Sequence, residues 1–408
     1  MAENKRKIIN DPVYGFITID HPLIFDIIQH PYYQRLRRIS QMALACLVYP
    51  GAMHTRLSHS LGAYHLMRLA LQELRNKGAE VTEEEDVAAR MAILLHDIGH
   101  GPYSHTLENT MVEGVLHEDI SSMIMERMNM EMNGNLEMAI RIFRGDYPKK
   151  FLHQLVSSQL DVDRMDYLNR DSFYTGVHEG VIGYDRIIKM MIVHNDELMI
   201  EEKGIHSIEK FIIARRLMYW QVYLHKTVLS AENMLIKILT RAKELVLQGE
   251  ALFSSPALAF FMRQKINGTI FASHPEYLTH FCQLDDFDIM SAIKVWANHR
   301  DHVLSTLCRW LIDRQLFKIK LGNNRFETTK LEEMRKLLNK KSGFTGTELD
   351  YFIFTGIAVN RTYNTTDDNI NILFKDGEVK DIASVDNALI NNSISIPVKK
   401  FYFCYPKE

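Results

Sequence analysis

The spacing of apolar residues changes twice along the chain. Residues 7–20, KIINDPVYGFITID, carry Pro12 and Gly15 and then alternate, which predicts a short hairpin or an extended lead-in. From 21 to about 245 the period is helical. In MRLALQELRN (67–76), Leu69, Leu71 and Leu74 stand among polar residues near a helical stripe. In DVAARMAILLH (86–96), Val87, Met91, Leu94 and Leu95 share one face. Pro50-Gly51, Gly99, Gly101-Pro102, Asn133-Gly134 and Gly145 break these segments. Residues 246–312 stay helical but carry many aromatics and the polar break HPEY at 274–277. Beyond about 313, FKIKLG, YFIFTGIAVN, INILF and SISIPV read as short strands, with turns at Asp376-Gly377 and Asn391-Asn392. One amphipathic helix, TKLEEMRKLLNKK (329–341), lies among them. The pattern predicts a mainly α protein: a helical main domain over 1–245, a helical extension over 246–312 and an α+β region over 313–408.

Composition narrows the class. The chain has 408 residues, 46% of them hydrophobic, and a formal net charge of −3. Such a chain can bury a sizeable core without disulfide staples. Its near-neutral balance gives no reason to expect a general nucleic-acid or membrane-surface binder. RLRR at 35–38 could grip phosphates or be a solvated helix face, so nucleic acid stays open. Cys46, Cys282, Cys308 and Cys404 form no CxxC pair, which fits a reducing compartment. No apolar run follows the charges of MAENKRKIIND, so no signal peptide is expected. MALACLVYPGAM is too short and broken to span a bilayer. The expectation is a cytoplasmic protein with no membrane partner.

Candidate chemistry concentrates in LHDIGHGPYSH (95–105). Imidazole is the commonest metal ligand, and an adjacent aspartate supplies a hard oxygen. His96 and Asp97 at a helix C-terminus can diverge around one ion, and Gly99 and Gly101 would let the backbone turn tightly and bring His100 and His105 back over it. Three other stretches add to this. PGAMHTRLSHSLG (50–62) places His59 near a helix start, with Ser58 and Ser60 as candidate caps. VLHED (115–119) contributes His117. In LDVDRMDYLNRD (160–171), Asp163, Tyr167 and Asp171 fall at i+4 steps on one face, either a polar stripe in water or a functional wall. Arg215, Tyr219 and Tyr223 repeat the same spacing.

Taken in order, His59, His96-Asp97 and Asp163 give H…HD…D, and the chain resembles the HD-domain metal-dependent phosphohydrolases. It is most similar to the deoxynucleoside triphosphate triphosphohydrolases, both bacterial and vertebrate. NDPVYG, HPYYQRLRRISQ, YPGAMHTRLSHSLG, LLHDIGHGPYSH, HED and LDVDRMDYLNRD match family blocks in order over roughly residues 7–230, and YLHK (223–226) is a looser match. The resemblance implies an HD-domain helical core with an N-terminal lead-in. It implies that His59, His96, Asp97 and Asp163 hold one divalent transition metal (iron, manganese, zinc or nickel), with magnesium accompanying the triphosphate. His100, His105 and His117 would surround the triphosphate, with His105 or His117 as proton donor. Arg56, Arg164 and Arg215 would neutralise phosphate charge; the family often has lysine where Arg164 stands. Gln41, Tyr167, Asp171, Tyr219 and Tyr223 would form the wall that reads the sugar. Deoxynucleoside triphosphates would be substrates, and the chain would form a homo-oligomer, dimer or tetramer. Lys7, Asn10, Gln34 and Arg37 match a nucleotide-activation site of the vertebrate member, which carries aspartate where this chain has Gln29. The metal ligands alone also fit a phosphatase or phosphodiesterase acting on nucleoside monophosphates or other phosphate esters. A non-catalytic oligomer that binds nucleotide or nucleic acid is a third reading.

Overall fold

The predicted hairpin forms. β1 (Lys7–Asp11) pairs antiparallel with β2 (Gly15–Ile19), and Asp11 Oδ1 closes the turn by accepting the N–H groups of Val13 and Tyr14 at 2.9 and 3.0 Å. This computed structural model describes residues 6–407 apart from 108–109, 111, 361–362, 364–368 and 386–397.

Helix Arg56–Asn76 lies at the centre and packs against both Glu83–Leu95 and Val162–Thr175. Glu83–Leu95 is started by a capping box between Thr82 and Glu85, with acidic residues through its first turn. Its burial departs from the expected single stripe. Val87 is half-buried, whereas Ala88, Ala89, Ala92 and Ile93 are buried along with Met91, Leu94 and Leu95. The small alanines let neighbouring elements close on more than one face, so periodicity underestimates how central the helix is. In Arg56–Asn76, Leu71 and Leu74 are buried beside Met67 and Ala70, and Leu69 is half-buried.

One segment expected to be helical is not. β3 (Met191–His194) and β4 (Glu197–Glu201) form a hairpin whose turn residues, Asn195 and Asp196, both have positive φ, 52° and 60°. Asn and Asp tolerate that region, and two such residues form the tight turn that matches strand twist. β4 then pairs in parallel with β7 (Asn371–Leu373), which pairs with β8 (Val379–Asp381) around the predicted turn at Asp376-Gly377. A separate antiparallel sheet runs β5 (Lys318–Gly322), β9 (Val398–Tyr405), β6 (Phe354–Asn360). FKIKLG supplies β5 and INILF supplies β7. The first residues of YFIFTGIAVN finish a 3-10 turn, and the strand begins only at Phe354. In SISIPV, residues 393–397 lie outside the described residues, as does the Asn391-Asn392 turn, and Val398 opens β9. The expected helix at 329–341 spans Thr328–Ser342. The four cysteines are free. Among the described residues, no helix is long and apolar enough to cross a membrane.

Candidate metal centre and cavity

Three helix ends converge. His59 comes from the first turn of Arg56–Asn76, His96 caps the C-terminus of Glu83–Leu95, and Asp163 is in the first turn of Val162–Thr175. His59 Nε2 lies 3.1 Å from Asp163 Oδ1, and His96 Nε2 lies 3.5 Å from the same oxygen. Asp97 faces both rings, with Oδ2 3.5 Å from His59 Nε2 and Oδ1 3.4 Å from His96 Nε2. Thr55, not Ser58 or Ser60, occupies the N-cap position. The two serines fall inside the helix, where Ser60 Oγ meets the Tyr33 hydroxyl at 2.6 Å.

The donor set fits a divalent ion. His59 Nδ1 is 2.7 Å from Asp166 Oδ2 and His96 Nδ1 is 2.6 Å from the Ile93 carbonyl, so each ring donates from Nδ1 and turns Nε2 inward, the atom that would give its lone pair to an ion. Both Nε2 atoms are buried and make no properly directed hydrogen bond. Burial alone would depress these imidazoles, but Asp163 and Asp166 outweigh it and lift His59 to about 10, and Asp97 and Asp163 raise His96. Burial would raise the carboxyls; Arg56, His96 and His100 instead hold Asp97 well below the carboxylate range, and His59 and His96 do the same for Asp163. The site therefore favours positive charge where the four side chains meet. Asp97, His100 and His117 form a second converging group of ligand atoms.

Behind His59 runs a buried ionic chain. Arg170 grips Asp166 with Nε and Nη2 at 2.9 and 3.0 Å and reaches Asp11 of the hairpin with Nη1 at 2.8 Å. Gly62 makes room for it, because a Cβ there would overlap the Asp166 carboxylate and the Arg170 guanidinium. Sequence reasoning missed Asp166, Arg170 and Asp11 as parts of the site. The available signal was the i+4 spacing of Asp166 and Arg170 inside LDVDRMDYLNRD.

The loop after Asp97 works differently from the tight glycine turn expected of it. Neither Gly99 nor Gly101 has positive φ; Tyr103 and Ser104 do, at 53° and 51°. Gly99 instead permits close approach, since a Cβ would strike the backbone of His117 and Ser121, and its N–H donates to Ser121 Oγ at 2.9 Å. His100 is thereby held with Nε2 3.2 Å from Asp97 Oδ1, and its ring stacks on His117 at 3.9 Å. Burial and the neighbouring Arg56 push His100 well below its ordinary value. Arg56 reaches Asp97 Oδ2 at 2.5 Å and Ser104 Oγ at 2.9 Å. His105 sits in the 3-10 turn Ser104–Thr106, and its side chain lies outside the described residues.

These groups open into a cavity of about 420 Å³. Its wall contains Gln41, Arg56, Asp97, His100, His117, Asp163, Tyr167, Asp171, Tyr219 and Tyr223 among the candidates. Asp171 is held from two sides, by His54 Nε2 at 2.7 Å and by the Tyr223 hydroxyl at 2.7 Å. His54 was not anticipated; it is buried and stacked on Tyr174. The i+4 reading of Arg215, Tyr219 and Tyr223 needs correction. The α-helix ends at Met218 and a π-turn runs from Tyr219 to Tyr223, with Leu224 N bonded to Tyr219 O at 2.7 Å. The two tyrosines still meet edge to face at 5.3 Å. Arg164 and Arg215 stand beside Tyr167 and are not in the cavity wall. Arg164 pairs with Asp161, and Arg215 reaches Gln159 at 3.4 Å. Gln41 Oε1, Arg164 Nε and Arg215 Nε are buried and without a hydrogen-bond partner.

The other candidate group lies on the N-terminal elements. Lys7 and Asn10 are exposed on β1, and Lys7 Nζ sits 3.8 Å over the Phe25 ring. Gln29 is exposed at the end of helix Pro22–Gln29. Gln34 donates to the Ile28 carbonyl at 2.5 Å and accepts from Arg37 Nε at 2.7 Å.

A family model described as HD domain matches residues 56–171, and one described as HD associated region matches 182–255. The chain is 32% identical to the uncharacterized protein YwfO of Bacillus subtilis, over 99% of this chain and 93% of that one. It is 29% identical to the human deoxynucleoside triphosphate triphosphohydrolase SAMHD1, over 54% of this chain and 42% of that one, so it spans less than half the human protein's length. A phosphohydrolase crystal structure from Bacteroides thetaiotaomicron is 54% identical, covers 99% of this chain and 100% of that one, and superposes with a TM-score of 0.95.

Proposed function

Since the chain belongs to the HD-domain phosphohydrolase family that includes the deoxynucleoside triphosphate triphosphohydrolases, we propose that it hydrolyses deoxynucleoside triphosphates to deoxynucleoside and inorganic triphosphate. The observation that carries this reading is one cavity whose wall takes in Asp97 and Asp163 of the four-residue cluster together with the paired Asp171 and Tyr223 and the unpartnered Gln41 carbonyl.

An iron, manganese, zinc or nickel ion held by those four side chains would lower the pKa of a bound water and polarise a phosphate oxygen. Asp166 and the Ile93 carbonyl orient the two imidazoles for that ion. Arg56, fixed by Asp97 and Ser104, faces the phosphates from the cavity wall. Arg164 and Arg215 lie one layer back and supply long-range positive charge. His100 is kept neutral and serves as a hydrogen-bond partner. His117, or His105, delivers the proton to the departing 5′-oxygen. Asp171 accepts from the sugar hydroxyl, Gln41 accepts from it or donates to it, and Tyr223 and Tyr167 crowd the face where a ribose 2′-hydroxyl would sit. Magnesium accompanies the triphosphate, and activation by a nucleotide bound at Lys7, Asn10, Gln29, Gln34 and Arg37 of a homo-oligomer belongs to the same reading.

His96→Ala and Asp97→Ala should each lose bound metal and turnover while keeping the circular-dichroism spectrum of the parent. Retention of both metal and turnover would refute the assignment.

A further inference from the structure

Glu232 plays no part in the roles above, yet it lines the same cavity. It stands one turn beyond Val228 on helix Lys226–Leu247, and both residues face the ligand space. This helix packs on the 3-10 turns Ala45–Leu47 and Ser104–Thr106. The Thr106 hydroxyl is its hydrogen-bond partner, and no arginine or lysine among the described residues balances its charge. A carboxyl on the wall of a site for a polyanion is unfavourable unless it meets a donor on the ligand. The phosphate end is defined by Arg56, His100 and His117 around Asp97. Glu118, the other glutamate of the wall, lies beside His117 at this end, whereas the wall also carries Met42, Ala43, Ala45, Val222 and Val228, apolar surface suited to the flat faces of a nucleobase.

Building on the nucleotide reading above, we propose that Glu232 reads the base and favours those with an exocyclic amino group, adenine, cytosine and guanine, over thymine. Thr106 donates one hydrogen bond to the carboxyl, whose other lone pairs stay open to an amino N–H. Thymine has no amino group, and its single ring N–H is flanked by two carbonyl oxygens that would crowd the carboxyl. Burial lifts the Glu232 carboxyl to about 7, with Thr106 offsetting part of the effect. Both forms are thus present near neutrality. The protonated form adds a donor for the ring nitrogen beside the amino group of adenine or cytosine. The ionised form accepts the paired N–H groups of guanine.

The test is competition among the four deoxynucleoside triphosphates, with kcat/KM measured for the parent, Glu232→Gln and Glu232→Ala. The ratio of each amino-bearing nucleotide to dTTP should fall by about tenfold in Glu232→Ala, whereas Glu232→Gln, whose amide keeps one acceptor and one donor, should lower the dGTP ratio and hold those of dATP and dCTP. A partly misfolded variant lowers all four rates together and leaves the ratios alone, so the readout is independent of folding. Ratios in Glu232→Ala within about twofold of the parent would overturn the role of Glu232 while leaving the nucleotide reading standing. A parent that turns over none of the four would overturn the nucleotide reading, and this proposal with it.

Discussion

Replacing Asp166 with Asn removes one charge from a buried chain of four groups. Asp166 is 0% exposed; its Oδ2 takes His59 Nδ1 at 2.7 Å, and Arg170 grips both oxygens. An amide keeps the shape but has one acceptor oxygen. Turned towards His59, it points its NH2 at Arg170. Turned the other way, it donates to His59 Nδ1 and shifts the ring proton to Nε2, where the metal lone pair has to be. Losing such an outer partner typically weakens metal binding ~10–100-fold, or about 1.4–2.7 kcal/mol. Breaking a buried pair costs about 3–5 kcal/mol when the partner is left uncompensated. Arg170 keeps Asp11 at 2.8 Å, so a loss near the bottom of that range is expected. Chelator competition gives the metal affinity, and denaturant unfolding of the metal-free protein gives the stability. Asp11→Asn is the control: it weakens the same chain through Arg170 without touching His59. Asp166→Asn should lose at least about tenfold in metal affinity, whereas Asp11→Asn should lose stability and hold metal nearly as the parent does. Unchanged metal affinity in Asp166→Asn would refute the argument from ring orientation.

Three further expectations follow from the same geometry. Tyr223→Phe frees one side of Asp171 and should lower the kcat/KM preference for deoxy- over ribonucleotide by roughly 5–10-fold; an unchanged preference would misplace the sugar wall. Glu232 has its carboxyl raised from the ordinary 4.5 to about 7, so the native state holds an extra proton between those values. Its contribution is complete below 4.5 and is lost as pH rises through 7, so the parent should lose up to about 3 kcal/mol relative to Glu232→Gln between pH 5 and 8; a stability difference flat across that window contradicts it. If nucleotide activation works through Gln29, whose amide offers both a donor and an acceptor, mixtures should activate without strict dependence on guanine nucleotides, and activation by those alone, unchanged in Gln29→Ala, would count against it.

Much of the fold was legible because local rules governed it. Pro12 and Gly15 marked the hairpin, Asp376-Gly377 marked the turn between β7 and β8, and helical periodicity marked the 329–341 segment. The β3–β4 hairpin escaped because MIV and LMI are apolar runs too short to separate helix from strand by period, and Asn195-Asp196 was the only clue. His59, His96, Asp97 and Asp163 were selected from the order of the motifs, and the structure places each of the two imidazoles 3.1–3.5 Å from both carboxylates. The groups that support them were hidden for a physical reason. Asp166 meets His59 across 107 residues of chain and His54 meets Asp171 across 117, and such pairings depend on how helices pack, which no local pattern encodes. The π-turn at Tyr219–Tyr223 likewise inserts a residue into what an i+4 reading treats as regular helix. Glu232 belongs to none of the motifs, and only the cavity associates it with them.

In the proposed reaction, water attacks the α-phosphorus of a deoxynucleoside triphosphate. Hydrolysis in ¹⁸O-labelled water, with products separated and weighed by mass spectrometry, tests it most directly. The expected products are unlabelled deoxynucleoside and inorganic triphosphate carrying one ¹⁸O. Label in orthophosphate alongside a deoxynucleoside diphosphate, or in the 5′-hydroxyl of the nucleoside, would contradict it.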